Sequence, residues 1–157
     1  LWQQITGEAI MGEKLGQYLT ILPMTMVEWG EWKTTHPDTQ VLTLDTGFEM
    51  DYNNDRYTQY IENEQIYFPV GNSSTVMHPK TVVHGIDAGE LHFAINEKEL
   101  KEKGTATIKV GEQSFELSFN NDGFVIAKAS DGDEYTGLRM FWFAWYNFHP
   151  DTAVVKL

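Results

Sequence analysis

Trp29-Gly30-Glu31-Trp32-Lys33-Thr34-Thr35-His36-Pro37-Asp38-Thr39 returns near the C-terminus as Trp142-Phe143-Ala144-Trp145-Tyr146-Asn147-Phe148-His149-Pro150-Asp151-Thr152. Both windows read W-x-x-W-x-x-x-H-P-D-T: six of eleven positions are identical, and four of the chain's five tryptophans lie in them. Trp29, Trp32 and His36, spaced three and then four apart, share one face of a helix. Thr25 with Glu28 three residues on has the form of a capping box and predicts where that helix starts. Pro37 disfavours helical geometry at His36, so the helix is expected to end near Thr35. His-Pro-Asp-Thr then suits a tight corner, with the Asp side chain bonding amides two residues ahead. Val41-Leu42-Thr43-Leu44 reads as a strand. In the second copy Phe141, Trp145 and Phe148 form the apolar stripe, followed by His149-Pro150 and the strand-like Ala153-Val154-Val155. The repeated unit is helix, corner, strand.

Two equivalent His and two equivalent Asp residues invite a metal reading, in which pseudo-twofold packing gathers His36, His149 and their Asp neighbours. The favoured reading is structural. A His at a helix C-terminus complements the helix dipole, and the Asp ties down the corner. The copies are offset by 113 positions (142 − 29). Residues 43–157 then make about one unit, and residues 1–42 form the tail of an earlier one. The expectation is a single domain over residues 1–157, a fragment of a longer protein, that packs with an upstream repeat.

At 157 residues with 41% hydrophobic and 13% aromatic content, the chain can bury an ordinary core. A formal charge of −12 argues against nucleic acid and against an anionic membrane surface. No apolar run approaches the roughly 18 residues of a membrane span, so no membrane insertion by this segment is expected. Cysteine is absent, which removes disulfides, thiolate nucleophiles and thiolate metal ligands from these residues. The compartment stays open, an extracytoplasmic one included.

Residues 1–23 read as β structure, with Tyr18-Leu19-Thr20-Ile21-Leu22 as a strand. Asp51, Asn53, Asp55 and Glu62 occupy places one, three, five and twelve of a calcium loop, but Arg56 stands where the loop needs glycine. Asp55 is better read as the cap of a short helix whose Tyr57, Tyr60 and Ile61 face inward. Residues 65–70 suit a strand, with Pro69 implying an edge or an end. Residues 82–86 and 90–95 form a hairpin around an Asp87-Ala88-Gly89 turn, which would set His84 opposite His92. Such a pair can share a metal, or stand as a polar pair on a half-exposed face. Asn96 and Glu99 make a capping box for a helix that Gly104 stops. Residues 105–110, 113–120 and 123–129 form a meander burying Ile108, Val110, Phe115, Leu117 and Phe119. An acidic loop, residues 131–134, follows. No Gly-x-Ser-x-Gly elbow supports a Ser-His-Asp triad.

Leu1-Trp2-Gln3-Gln4-Ile5-Thr6-Gly7-Glu8-Ala9-Ile10, both W-x-x-W…H-P-D-T windows, Asp51-Tyr52 with Asp55 and Tyr57, and Tyr67-Phe68-Pro69-Val70 together resemble the family known as domain of unknown function 3179. The resemblance covers nearly the whole chain and carries no established activity. It implies a Cys-Pro-x-Cys-Gly segment upstream of the Trp-x-x-x-Thr-Gly motif, suited to thiol redox chemistry or metal capture; this chain begins after that point. One departure is spacing: Gly7 precedes Trp29 by 22 positions (29 − 7), whereas Gly137 precedes Trp142 by 5 (142 − 137). The second copy is the shorter one.

The expected fold is a β-rich α+β domain of antiparallel hairpins and a meander, with short Trp-bearing helices and an internal duplication. The expected function is non-catalytic binding or structure. The alternatives are a thiol-redox or metal-dependent enzyme with its cysteines upstream, and a carbohydrate-binding module. No cofactor is expected. His36, His84, His92 and His149 are the metal candidates, but spacing gives them no complete ligand set, and His78 precedes a proline in a loop.

Overall fold

Two short helices, α1 (Trp29–Thr35) and α2 (Thr58–Glu62), belong to a compact unit formed by Met26–Gln65. The computed structural model describes residues 1–55 and 57–157, and the second compact unit combines Leu1–Thr25 with Ile66–Leu157. In the smaller unit α1 ends where Pro37 requires, with His36 as its C-cap. Its N-cap is Glu28, not Thr25; the Thr25 hydroxyl is 3.5 Å from the Gly123 carbonyl instead. The N-cap of α2 is Tyr57, not Asp55; Asp55 stands two residues before it and accepts from the Tyr57 amide and the Thr58 hydroxyl, both at 2.8 Å. The inward face expected of α2 is absent, since Tyr57 and Ile61 are exposed. Arg56, on which the calcium reading turned, lies outside the described residues. Residues 41–44 form no strand.

The larger unit holds both sheets. The N-terminal stretch forms only isolated bridges, Trp2 to Ala9 and Glu8 to Tyr18, so the strand expected over residues 18–22 does not form. Leu19, Ile21 and Leu22 are exposed, and pairing stops at the Leu19 amide, which bonds the Gly7 carbonyl at 2.9 Å beside the Glu8–Tyr18 bridge. Residues 65–70 likewise form no strand; Phe68 instead packs edge-on against Phe143.

The hairpin forms from β1 (Val82–Ala88) and β2 (Leu91–Asn96), but in another register. Its turn is the two-residue Gly89-Glu90, with Gly89 at φ 76°, the conformation a tight hairpin needs at its first central position. Asp87, not His84, faces His92, and His84 faces Ile95. This register pairs Ile86 with Phe93, both fully buried, whereas the expected one would set Ile86 across from Glu90.

Asn96 caps α3 (Glu97–Lys103), accepting from the Lys98 and Glu99 amides, and Gly104 ends it. The meander follows as β3 (Thr105–Val110), β4 (Gln113–Phe119) and β5 (Val125–Ala129), and β6 (Glu134–Thr136) extends it beyond the acidic loop. β7 (Leu138–Phe141), α4 (Trp142–Phe148) and β8 (Ala153–Val155) complete the chain. One sheet has the order β7-β1-β2-β8, with β8 parallel to β2; the other is the antiparallel β3-β4-β5-β6. The fold is therefore mixed α+β and strand-rich, with two four-stranded sheets and short helices.

Alternation along β1 and β2 gives the first sheet two apolar faces. Ile86, Phe93 and Ile95 join Phe115, Leu117 and Val125 in the larger core. Val83 and Ala94 point the other way, into a second core with Trp142 and Trp145 of α4. The buried face of α4 is thus the tryptophan pair, not the Phe141-Trp145-Phe148 stripe, and Phe148 is exposed. Gly85 makes this packing possible: a Cβ there would sit 2.2 Å from the Trp145 ring. Among the described residues, no helix is long and apolar enough to cross a membrane.

Candidate functional site

The two W-x-x-W…H-P-D-T windows adopt matching local geometry. Each helix has seven residues, and its His C-cap has nearly the same backbone: φ −131°, ψ 65° at His36 and φ −128°, ψ 69° at His149. The His amide closes on the carbonyl of the second Trp in both. That Trp then donates its indole N–H to the Thr seven residues on, Trp32 to Thr39 at 2.9 Å and Trp145 to Thr152 at 2.8 Å. The imidazole stacks on the same indole, with centroids 3.7 Å apart in the first copy and 4.0 Å in the second. The Thr amide meets the His carbonyl at 3.2 and 3.1 Å. Trp, His and Thr therefore close the corner around one another. The helical spacing of Trp and His foretold their shared face, but the Trp–Thr bond was missed; its only signal was Thr at the same place in both windows.

Burial separates the copies. Trp29 and Trp32 are 48% and 37% exposed, whereas Trp142 and Trp145 are 1% and 0% exposed. α4 lies over Val83 and Ala94, and its last turn is tied down where the Asn147 side-chain oxygen accepts from the Gly71 and Asn72 amides.

Of the four candidate histidines, the fold brings two together. His149 stacks on Trp145, and its ring is 4.3 Å from that of His92. His92 Nδ1 is 3.3 Å from the Asp151 carboxylate, and its Nε2 is 3.6 Å from Asp87. Asp151 thus pairs with a histidine of β2, a different partner from the corner amides expected of it. Burial, and then the neighbouring His92, push the His149 pKa below the ordinary imidazole value against the pull of Asp87 and Asp151. Among the described residues, no group of three or more His, Asp or Glu side chains is arranged to hold a metal ion. His36 stands in the smaller unit, and the His78 ring accepts from the Lys80 amide at 3.2 Å.

His84 belongs to a second polar cluster that sequence reasoning did not foresee. Its Nε2 lies 3.1 Å from Glu97, which also takes two hydrogen bonds from Arg139 and one from Lys101 at 3.0 Å. Burial raises the Glu97 pKa, but the hydrogen bonds and charges of Arg139 and Lys101 outweigh it and hold it at about 2. Burial lowers the His84 pKa, and Glu97 opposes this. The cluster joins β1, α3 and β7 through groups separated by 42 positions between Glu97 and Arg139. Beside it, a cavity of about 520 Å³ is lined by Thr81, Asn96, Glu97, Lys98, Lys101 and Glu102 among others.

Residues 1–134 match the family described as "Protein of unknown function (DUF3179)". The chain belongs to that family. No curated protein and no solved structure matches it. In this DUF3179 chain the matched span includes the first corner, with its exposed tryptophans, and ends before the second.

Proposed function

We propose that this DUF3179 chain is a non-catalytic binding or structural domain built on an internal duplication. One copy of the helix–corner–strand unit is seated within the domain, and the other presents its face for packing with an upstream repeat. On this reading residues 1–42 are the tail of the first repeat, residues 43–157 are the second, and the whole is part of a longer protein. A single observation carries it: the same Trp–His–Thr corner occurs twice, buried in one copy and open in the other. The Trp, His and Thr polar groups of the motif close on one another, which suits a docking element better than a catalyst.

Exposure of Trp29 and Trp32 also favours a second reading, carbohydrate recognition, because a sugar platform must be accessible. Hydroxyl-radical footprinting discriminates the two. The protein translated from its whole gene is compared with residues 1–157, with and without soluble oligosaccharides. Packing with a further repeat is expected to shield both indoles in the gene-length protein and leave them oxidised in residues 1–157. Shielding by oligosaccharide alone would transfer the conclusion to sugar binding, and equal oxidation in every sample would refute both.

A further inference from the structure

We infer that the first helix–corner unit docks on an antiparallel β-hairpin of the β1–β2 kind, carried by sequence preceding Leu1, with residues 40–42 adding to its edge as a parallel strand. The inference rests on the duplication proposed above and names the partner of its open copy. How the second copy is held carries it. There β8 leaves the corner and pairs in parallel with β2, Ala153 beside Phe93, Ala94 beside Val154 and Val155 beside Ile95. Trp142 covers Val83 and Ala94, and Trp145 lies so close over Gly85 that no side chain fits beneath it. The unit needs an edge to extend and a glycine to cover.

The 113-position offset carries Ala153, Val154 and Val155 onto Gln40, Val41 and Leu42. These residues are in no strand, and Val41 and Leu42 are 68% and 94% exposed. Trp29, Trp32, Val41 and Leu42 are therefore the side chains whose counterparts meet a hairpin in the second copy. An aromatic platform for a small ligand would account for the indoles but not for an apolar stretch with unpaired backbone. The β1–β2 hairpin of a second copy is already taken, because its β2 edge holds β8 and its Gly85 lies under Trp145. Residues 1–28 offer isolated bridges only. In the second copy the receiving hairpin precedes its helix, so the same order places the first copy's hairpin before Leu1. The occupant is thus two antiparallel strands with a small residue beneath Trp32 and a free edge for residues 40–42.

Hydrogen exchange read by mass spectrometry tests this on the gene-length protein and on residues 1–157, each at two concentrations a hundredfold apart. The Val41 and Leu42 amides are expected to exchange at least tenfold more slowly in the gene-length protein, independently of concentration. Trp32→Ala and Val41→Pro, introduced separately at exposed positions, are each expected to abolish protection of the Leu42 amide, the one the proline variant retains, and leave exchange in β4 unchanged. Protection that appears in residues 1–157 alone and grows with concentration would overturn the hairpin in favour of association between copies, with the binding-domain reading intact. Rapid exchange in both forms, or a gene with no sequence before Leu1, would also overturn it; footprinting of the two indoles then decides separately whether the binding reading survives.

Discussion

Gly85→Ala tests the packing on which the second copy depends. The added Cβ would lie 2.2, 2.3 and 2.5 Å from Cε3, Cδ2 and Cζ3 of Trp145. Ordinary carbon contacts are about 3.5–4 Å, so the indole must retreat by more than about 1 Å. It has little freedom to do so, since Trp145 is fully buried, bonded to Thr152 and stacked on His149. Overpacking of this kind costs about 1–3 kcal/mol, and loosening the Trp145–Thr152 bond adds about 1 kcal/mol. Replacing a strand glycine by alanine returns about 0.5–1 kcal/mol. The net expectation is a loss of about 1–3.5 kcal/mol, a large part of the roughly 5–15 kcal/mol that stabilises a domain. Urea unfolding followed by tryptophan fluorescence and circular dichroism would show a midpoint lower by about 1 M or more. Gly71→Ala, where the new Cβ meets only the Asn147 side-chain oxygen at an ordinary 3.5 Å, is the control and is expected to lie within about 0.5 kcal/mol of the parent. In a W145F background the smaller ring should relieve at least about 1 kcal/mol of the Gly85→Ala cost. A Gly85→Ala protein as stable as its parent, or a cost unchanged in that background, would refute the reasoning.

The two Trp–Thr bonds are expected to differ in worth. Thr152→Val strands a buried indole N–H and should cost about 1–2 kcal/mol in urea unfolding, whereas Thr39→Val leaves Trp32 open to water and should cost less than about 0.5 kcal/mol; equal costs would contradict the assigned burial. Stability is expected to fall on acidification in two stages. His84 and His149 hold protons less readily folded than unfolded, so their contribution is complete above about pH 6.5 and fades below it. Glu97, lowered from 4.5 to about 2, contributes above pH 4.5 and loses that contribution as pH falls towards 2. After allowance for solvent screening the Glu97 part is about 1–2 kcal/mol, and Glu97→Gln should remove the lower stage and, by taking away the charge that opposes the lowering of the His84 pKa, deepen the upper one; unfolding free energies that stay flat from pH 7 to pH 3 would refute this.

What could be read in the sequence was what neighbouring residues decide among themselves. The meander over residues 105–129 needs only strands joined by short turns, so alternation of Val110, Phe115 and Leu117 was enough. Asn96 and Gly104 bounded α3 through bonds to their own helix. Where a distant partner decides, local pattern failed. Residues 41–44 and 153–155 follow the same corner and have similar apolar character, yet only the latter form a strand, because only they meet the β2 edge. The hairpin register turned on burying Ile86 against Phe93, which sent His84 to Glu97 and left His92 for His149, 57 positions away (149 − 92).

The corner itself stands between these cases. Its stack, its Trp–Thr bond and its His cap all close within eleven residues, so the first copy forms them while its tryptophans remain exposed. Burial is therefore not what shapes the unit. A segment that reaches its docking geometry alone loses little further conformational entropy on docking, and more of the gain from covering Trp29 and Trp32 remains for association. On the function proposed above, that preorganisation is the physical reason one unit would serve as core in one place and as interface in another. In the second copy the unit is vulnerable at Gly85 beneath the indole and at the β2 edge that receives β8, both of which lie outside the repeated window.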